Sequence, residues 1–115
     1  MTFRNMVVAA VALFAFAGVG GTAAQASTTT VNVTAKDFSF KLSKRTVSSG
    51  RITFVIKNSG HANHDFAIAG HHSKTIAPGK TTRLTVNLKP GKYTYKCTVD
   101  SHAELGMKGV LRVHS

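Results

Sequence analysis

Alternation of apolar and polar residues over short stretches constrains this chain more than any other feature. Val31-Asn32-Val33-Thr34-Ala35, Phe38-Ser39-Phe40-Lys41-Leu42 and Leu84-Thr85-Val86-Asn87-Leu88 each put an apolar side chain at every second position. Ile52, Phe54 and Ile56 share one face of a β-branched run, Tyr93-Thr94-Tyr95-Lys96-Cys97 alternates again, and Val110 to Val113 closes the chain. His64 to Ala69 (HDFAIA) reads as a further short strand. A period of two is the mark of half-buried strands. Turn signals separate them: Ser48-Ser49-Gly50, Asn58-Ser59-Gly60, Ala69-Gly70, Pro78-Gly79 and Pro90-Gly91. No long segment has helical period, and there is no internal repeat. The pattern predicts an all-β fold, a Greek-key β-sandwich of about seven to eight strands around one modest core.

The first residues do not share this pattern. Arg4 is followed by an uncharged apolar stretch from Met6 to Gly20, then by Ala24-Gln25-Ala26. A basic head, an apolar run and an A-x-A site make a secretory signal. Residues 1–26 are therefore expected to be a signal peptide and 27–115 the folded domain. Export would place the domain in the periplasm or at the extracellular face of a bacterial cell. The competing reading is an uncleaved membrane anchor, because Met6 to Ala26 is nearly long enough to span a bilayer. Gly18, Gly20, Gly21 and Thr22 interrupt that run and argue against it. With no cysteine near the cleavage site, a lipoprotein anchor is not expected.

The chain carries 15 Lys and Arg against 4 Asp and Glu. Such a surplus suits nucleic acid, an anionic surface or an acidic protein. The basic residues are spread from Lys36 onward rather than massed in one arm or interleaved with aromatics. An exported protein also rarely meets nucleic acid, so that partner is not expected. A solvated surface and steering toward an acidic partner both fit.

Cys97 is the only cysteine, which excludes an internal disulfide. Its surroundings point to a metal. In Cys97-Thr-Val-Asp-Ser-His102-Ala-Glu-Leu-Gly-Met107 a thiolate, an imidazole and a thioether follow one another at intervals of five residues. One tight loop between two strands can bring them to a point. Upstream, His64 follows the Asn58-Ser59-Gly60 turn. Two histidines and a cysteine with a weak axial methionine form a blue-copper electron-transfer site. Zinc would also accept such donors, but copper has the greater intrinsic affinity. One copper ion per chain, cycling between Cu(I) and Cu(II), is the expected cofactor. His61, His71, His72 and His114 are expected at the surface.

These residues resemble the plastocyanin/azurin family of cupredoxins over essentially all of Val31 to Val113. The resemblance is carried by Gly50 to Asn58 (GRITFVIKN), His64-Asp65-Phe66, Ala77-Pro78-Gly79, Pro90 to Cys97 (PGKYTYKC), His102 and Gly106-Met107-Lys108-Gly109. It implies a sandwich with His64, Cys97, His102 and Met107 as ligands. It also implies backbone N–H groups of Asp65 and Val99 directed at the Cys97 sulfur, which would stabilise the thiolate. Relatives often carry Asn where this chain has Asp65; that acid is either protonated or accepts a bond from the Thr98 hydroxyl. Asp100-Ser101 stands where many relatives have a Pro-Gly pair. Tyr93 and Tyr95 are read as corner and core packing, since an immunoglobulin domain would need an earlier cysteine and a tryptophan.

The expected function is a carrier of single electrons rather than an enzyme. His102 would be the electron port, bordered by Ala62, Ala103 and Leu105. The basic surface would steer the carrier to acidic redox proteins such as a cytochrome or a terminal oxidase or reductase. A monomer is expected, and contact with a membrane only if the N-terminal segment is retained. The alternative is an extracytoplasmic copper chaperone or copper-binding module using the same ligands, with His61, His71 and His72 in its favour. A copper oxidase or nitrite reductase would need His-x-His pairs, which the chain lacks.

Overall fold

The structure, a computed structural model, describes residues 28–115. The segment read as a signal peptide or anchor lies outside the described residues. Nine strands follow in order: β1 (Thr29–Lys36), β2 (Ser39–Leu42), β3 (Thr46–Ser48), β4 (Gly50–Asn58), β5 (Ala67–Ile68), β6 (His71–His72), β7 (Thr81–Leu88), β8 (Gly91–Lys96) and β9 (Lys108–His114). They form a four-stranded sheet, β2-β1-β4-β7, and a five-stranded sheet, β3-β9-β8-β5-β6. The β1–β4 and β3–β9 pairs are parallel and the others antiparallel. Among the described residues no helix is long and apolar enough to cross a membrane.

The period-two stretches account for the long strands. Val31, Val33 and Ala35 of β1, Ile52, Phe54 and Ile56 of β4, and Val86 and Leu88 of β7 are buried. Val47, Ile68, Tyr95, Leu111 and Val113 meet them from the second sheet. Phe66 sits among Phe54, Phe40 and Tyr95, with ring centroids 4.9, 5.3 and 5.5 Å away. The Tyr93 hydroxyl donates to the Lys89 carbonyl at 2.7 Å, the corner packing that was expected.

The short strands differ from expectation. Only Ser49 separates β3 from β4, so the chain changes sheets at a single bend. Ala69 and Gly70, both with positive φ, close a two-residue hairpin between β5 and β6. The expected strand over His64 to Ala69 is reduced to Ala67–Ile68. The reason lies in where its backbone donors go. The Asp65 N–H points to the Cys97 sulfur and the Phe66 N–H to the Ser73 hydroxyl, so neither enters a ladder. His64 keeps only an isolated bridge to Ile76.

Candidate metal centre

Two chain segments meet at one end of the sandwich. The first is the link between β8 and β9, whose ends are clamped by the pairing of Lys96 with Lys108. Within it the Cys97 N–H donates to the Met107 carbonyl and the Met107 N–H to the His102 carbonyl, each at 3.1 Å. The His102 N–H donates to the Val99 carbonyl, and a 3-10 turn runs over Ala103–Leu105. These bonds close the loop on itself and turn Cys97, His102 and Met107 inward; all three are buried.

The second segment carries His64. It is organised by Asn58, which is fully buried at the end of β4. The Asn58 amide donates to the carbonyls of Ala62 at 2.8 Å and Ile76 at 2.7 Å, and its oxygen accepts from the Gly60 N–H at 2.8 Å. His64 then exchanges two backbone bonds with Ile76. A buried amide with all these partners holds the 58–64 link in one shape.

The result is a three-sided donor set. The Nδ1 atoms of His64 and His102 are 3.2 Å apart, and the Cys97 Sγ lies 3.9 and 3.6 Å from them. Donors bonded to one small ion at ~2.0–2.3 Å in a plane would stand roughly 3.5–3.8 Å apart, so the observed edges fit a single ion. One soft thiolate and two imidazoles are the donor chemistry of a copper or zinc site. Met107 is fully buried and joined through its main chain to both Cys97 and His102. His61, His71, His72 and His114 are exposed, apart from this set. Among the described residues, His64, Cys97 and His102 are the group of three such side chains able to hold a metal.

The polar surroundings complete the site. The Asp65 N–H reaches the Cys97 sulfur at 3.5 Å. Burial pushes the Cys97 thiol above its ordinary value; the backbone N–H groups of Asp65 and Val99 oppose the rise, and the charge of Asp65 adds to it. The metal-free thiol is therefore protonated at neutral pH, and a metal must displace that proton. The Asp65 carboxylate accepts the Thr98 N–H at 2.6 Å and also the Thr98 hydroxyl. Asp65 thus ties the His64 segment to the Cys97 loop.

Sequence reasoning missed the turn between β1 and β2. Asp37 accepts from the His61 N–H at 2.8 Å and the Ala62 N–H at 3.2 Å, and its Oδ1 lies 2.7 Å from the His64 Nε2. The next residue, Phe38, lies against His102 with ring centroids 4.7 Å apart. One signal was available: the chain has four acids, and all four gather here. Asp37 touches His64, Asp65 follows it in sequence, and Asp100 and Glu104 lie on the ligand loop.

Residues 7–113 match the cupredoxin-like domain family. The chain belongs to that family. Its fold is similar to that of dithionite-reduced auracyanin from the photosynthetic bacterium Roseiflexus castenholzii, at 22% identity and TM-score 0.69, over 76% of this chain and 98% of that one. Auracyanin A, a "blue" copper protein from Chloroflexus aurantiacus, gives 21% identity and TM-score 0.66 over 76% and 100%. An azurin from Methylomonas sp. strain J gives 18% and 0.61 over 76% and 98%. No curated protein sequence matches the chain. Two sheets enclose one core, and the donor set sits where the β8–β9 loop meets the link after β4.

The Asp37 carboxyl is held at about 2, below the ordinary 3.8, first by the His61 N–H, then by the His64 side chain. A depressed folded-state value adds stability that is complete above the unfolded value and vanishes as pH falls through the folded one. We predict that the metal-free protein loses this contribution between about pH 4 and pH 2. Acid unfolding of Asp37→Asn should be flatter across that window. An acid limb identical to that of the unaltered protein would show that Asp37 contributes nothing to it.

Proposed function

We propose that the chain is an exported carrier of single electrons that holds one copper ion between His64, Cys97 and His102, with Met107 as the axial donor. The observation that carries this reading is the buried convergence of two imidazole nitrogens and one thiol sulfur within 4.8 Å of one another. Copper bound there would supply a one-electron couple. The cysteine sulfur and thioether suit Cu(I), the imidazoles suit both states, and the closed loop limits rearrangement between them. The auracyanin A comparison, to a "blue" copper protein, supports the same cofactor.

The surroundings of His102 support its role as the port. The residue is nearly covered, at 7% exposure, and Phe38 and Leu105 stand exposed nearby on the turn and the loop. Ala62 and Ala103 are half-buried. The apolar border therefore gains Phe38, which the sequence did not suggest. The basic residues of β1 to β9 and their turns are exposed, whereas Asp100 and Glu104 stand exposed on the ligand loop itself. On this account the basic body attracts an acidic redox partner and the apolar patch makes the contact. Export rests on the signal-like residues 1–26.

Titration of the copper-loaded protein with a one-electron mediator tests the proposal. A single reversible wave of one electron per copper, with the metal retained, is expected. Loss of copper on reduction would contradict a carrier and favour a copper-delivery protein.

A further inference from the structure

Within the proposed copper site, His64 draws support from outside its own segment. Its ring is completely buried, so water cannot satisfy its second nitrogen. That nitrogen, Nε2, faces Asp37 Oδ1 at 2.7 Å. An ionised carboxylate accepts hydrogen bonds and donates none. The proton therefore sits on Nε2, which leaves the Nδ1 lone pair directed at Cys97 and His102. Partners of this kind fix the tautomer and orientation of a ligand histidine and make it a stronger donor.

The site is built around this contact. A Cβ on Gly60 would overlap the Asp37 carboxyl and come within 3.1 Å of the Asp37 backbone nitrogen. Glycine at 60 is what lets the carboxyl approach. The same carboxylate binds the N–H groups of His61 and Ala62, which fixes the link leading into His64. The adjacent Phe38 ring packs edge-on to His64 at 6.1 Å as well as against His102. A two-residue turn thus braces both histidines.

We propose that Asp37 is the positioning residue of the metal centre: its carboxylate holds the His64 Nε2–H, presents Nδ1 to the metal and strengthens that nitrogen as a donor to Cu(II). This rests on the copper reading above. A stronger nitrogen donor favours Cu(II) over Cu(I), so Asp37 lowers the reduction potential.

Asp37→Ala and Asp37→Asn test the assignment through two readouts. The first needs no metal: nitrogen NMR of the His64 ring. The unaltered protein should show the Nε2–H tautomer, and Asp37→Ala a mixture. The second is copper affinity in each oxidation state. Both variants should lose Cu(II) affinity about ten- to a hundred-fold, with a smaller change for Cu(I). Each tenfold of that difference raises the potential by ~59 mV. Asp37→Asn keeps the shape and an acceptor oxygen, so it decides the matter if Asp37→Ala does not fold. A Cu(II)-to-Cu(I) affinity ratio in Asp37→Asn within twofold of the unaltered protein would overturn the proposal. If the unaltered protein binds no copper at this site while Asp37→Ala still loses the tautomer, the copper reading fails and the positioning of His64 by Asp37 stands.

Discussion

Asn58→Ala is expected to lower the stability of the metal-free domain by about 3–5 kcal/mol. The side chain is fully buried and makes three hydrogen bonds, to Ala62, Ile76 and Gly60. Each neutral bond is worth about 1 kcal/mol net, and a buried partner left unsatisfied costs roughly 1–3 kcal/mol more. The Ile76 carbonyl keeps its bond from the His64 N–H, which limits the loss on that side. The Gly60 N–H and the Ala62 carbonyl have no such second partner within the same cluster of bonds. Because these groups frame the approach to His64, copper affinity should fall along with stability. Denaturant unfolding of the metal-free variant measures the first effect. A loss below about 1 kcal/mol would show that the 58–64 link can re-form its bonds without the amide.

His64→Ala and Met107→Leu should separate the donors by rank. Loss of an outer partner of a ligand costs about 10–100-fold in affinity. Removing the imidazole itself should therefore cost more than about 100-fold. Met107→Leu removes only a weak axial donor. It also conserves volume in a fully buried position, which costs less than about 1.5 kcal/mol in stability. Its affinity for Cu(II) should fall less than about tenfold, with the reduction potential rising as the thioether is withdrawn. Competition against a chelator of known affinity gives both numbers. Equal losses in the two variants would contradict a weak axial role for Met107, and a tolerated His64→Ala would remove His64 from the donor set.

The amino-acid order made the long strands legible because their environment imposes a strict period. Val31, Val33 and Ala35, or Ile52, Phe54 and Ile56, bury one face whatever lies opposite. Where side chains or a sulfur take over the backbone's bonds, the period misleads. His64 to Ala69 looks like a strand, yet the Asp65 and Phe66 donors are spent on Cys97 and Ser73. The cysteine, both histidines and their convergence followed from residue type and spacing. The Asp65 contact with Thr98 was one of two alternatives that the sequence left open. Asp37 was not legible. It stands 27 residues before His64, in a turn with no metal-binding signature, and only the β1–β4 pairing carries it to the site. Phe38 escaped for a related reason: it was assigned to the strand that begins one residue later, at Ser39.

The central claim is that Cys97 binds copper as a thiolate together with His64 and His102. Adding Cu(II) to residues 27–115 and recording visible absorption and EPR spectra tests it most directly, with Cys97→Ser beside it. An intense sulfur-to-copper band with narrow hyperfine splitting, absent from Cys97→Ser, is the predicted result. A pale, ordinary Cu(II) spectrum that the substitution leaves unchanged would contradict it.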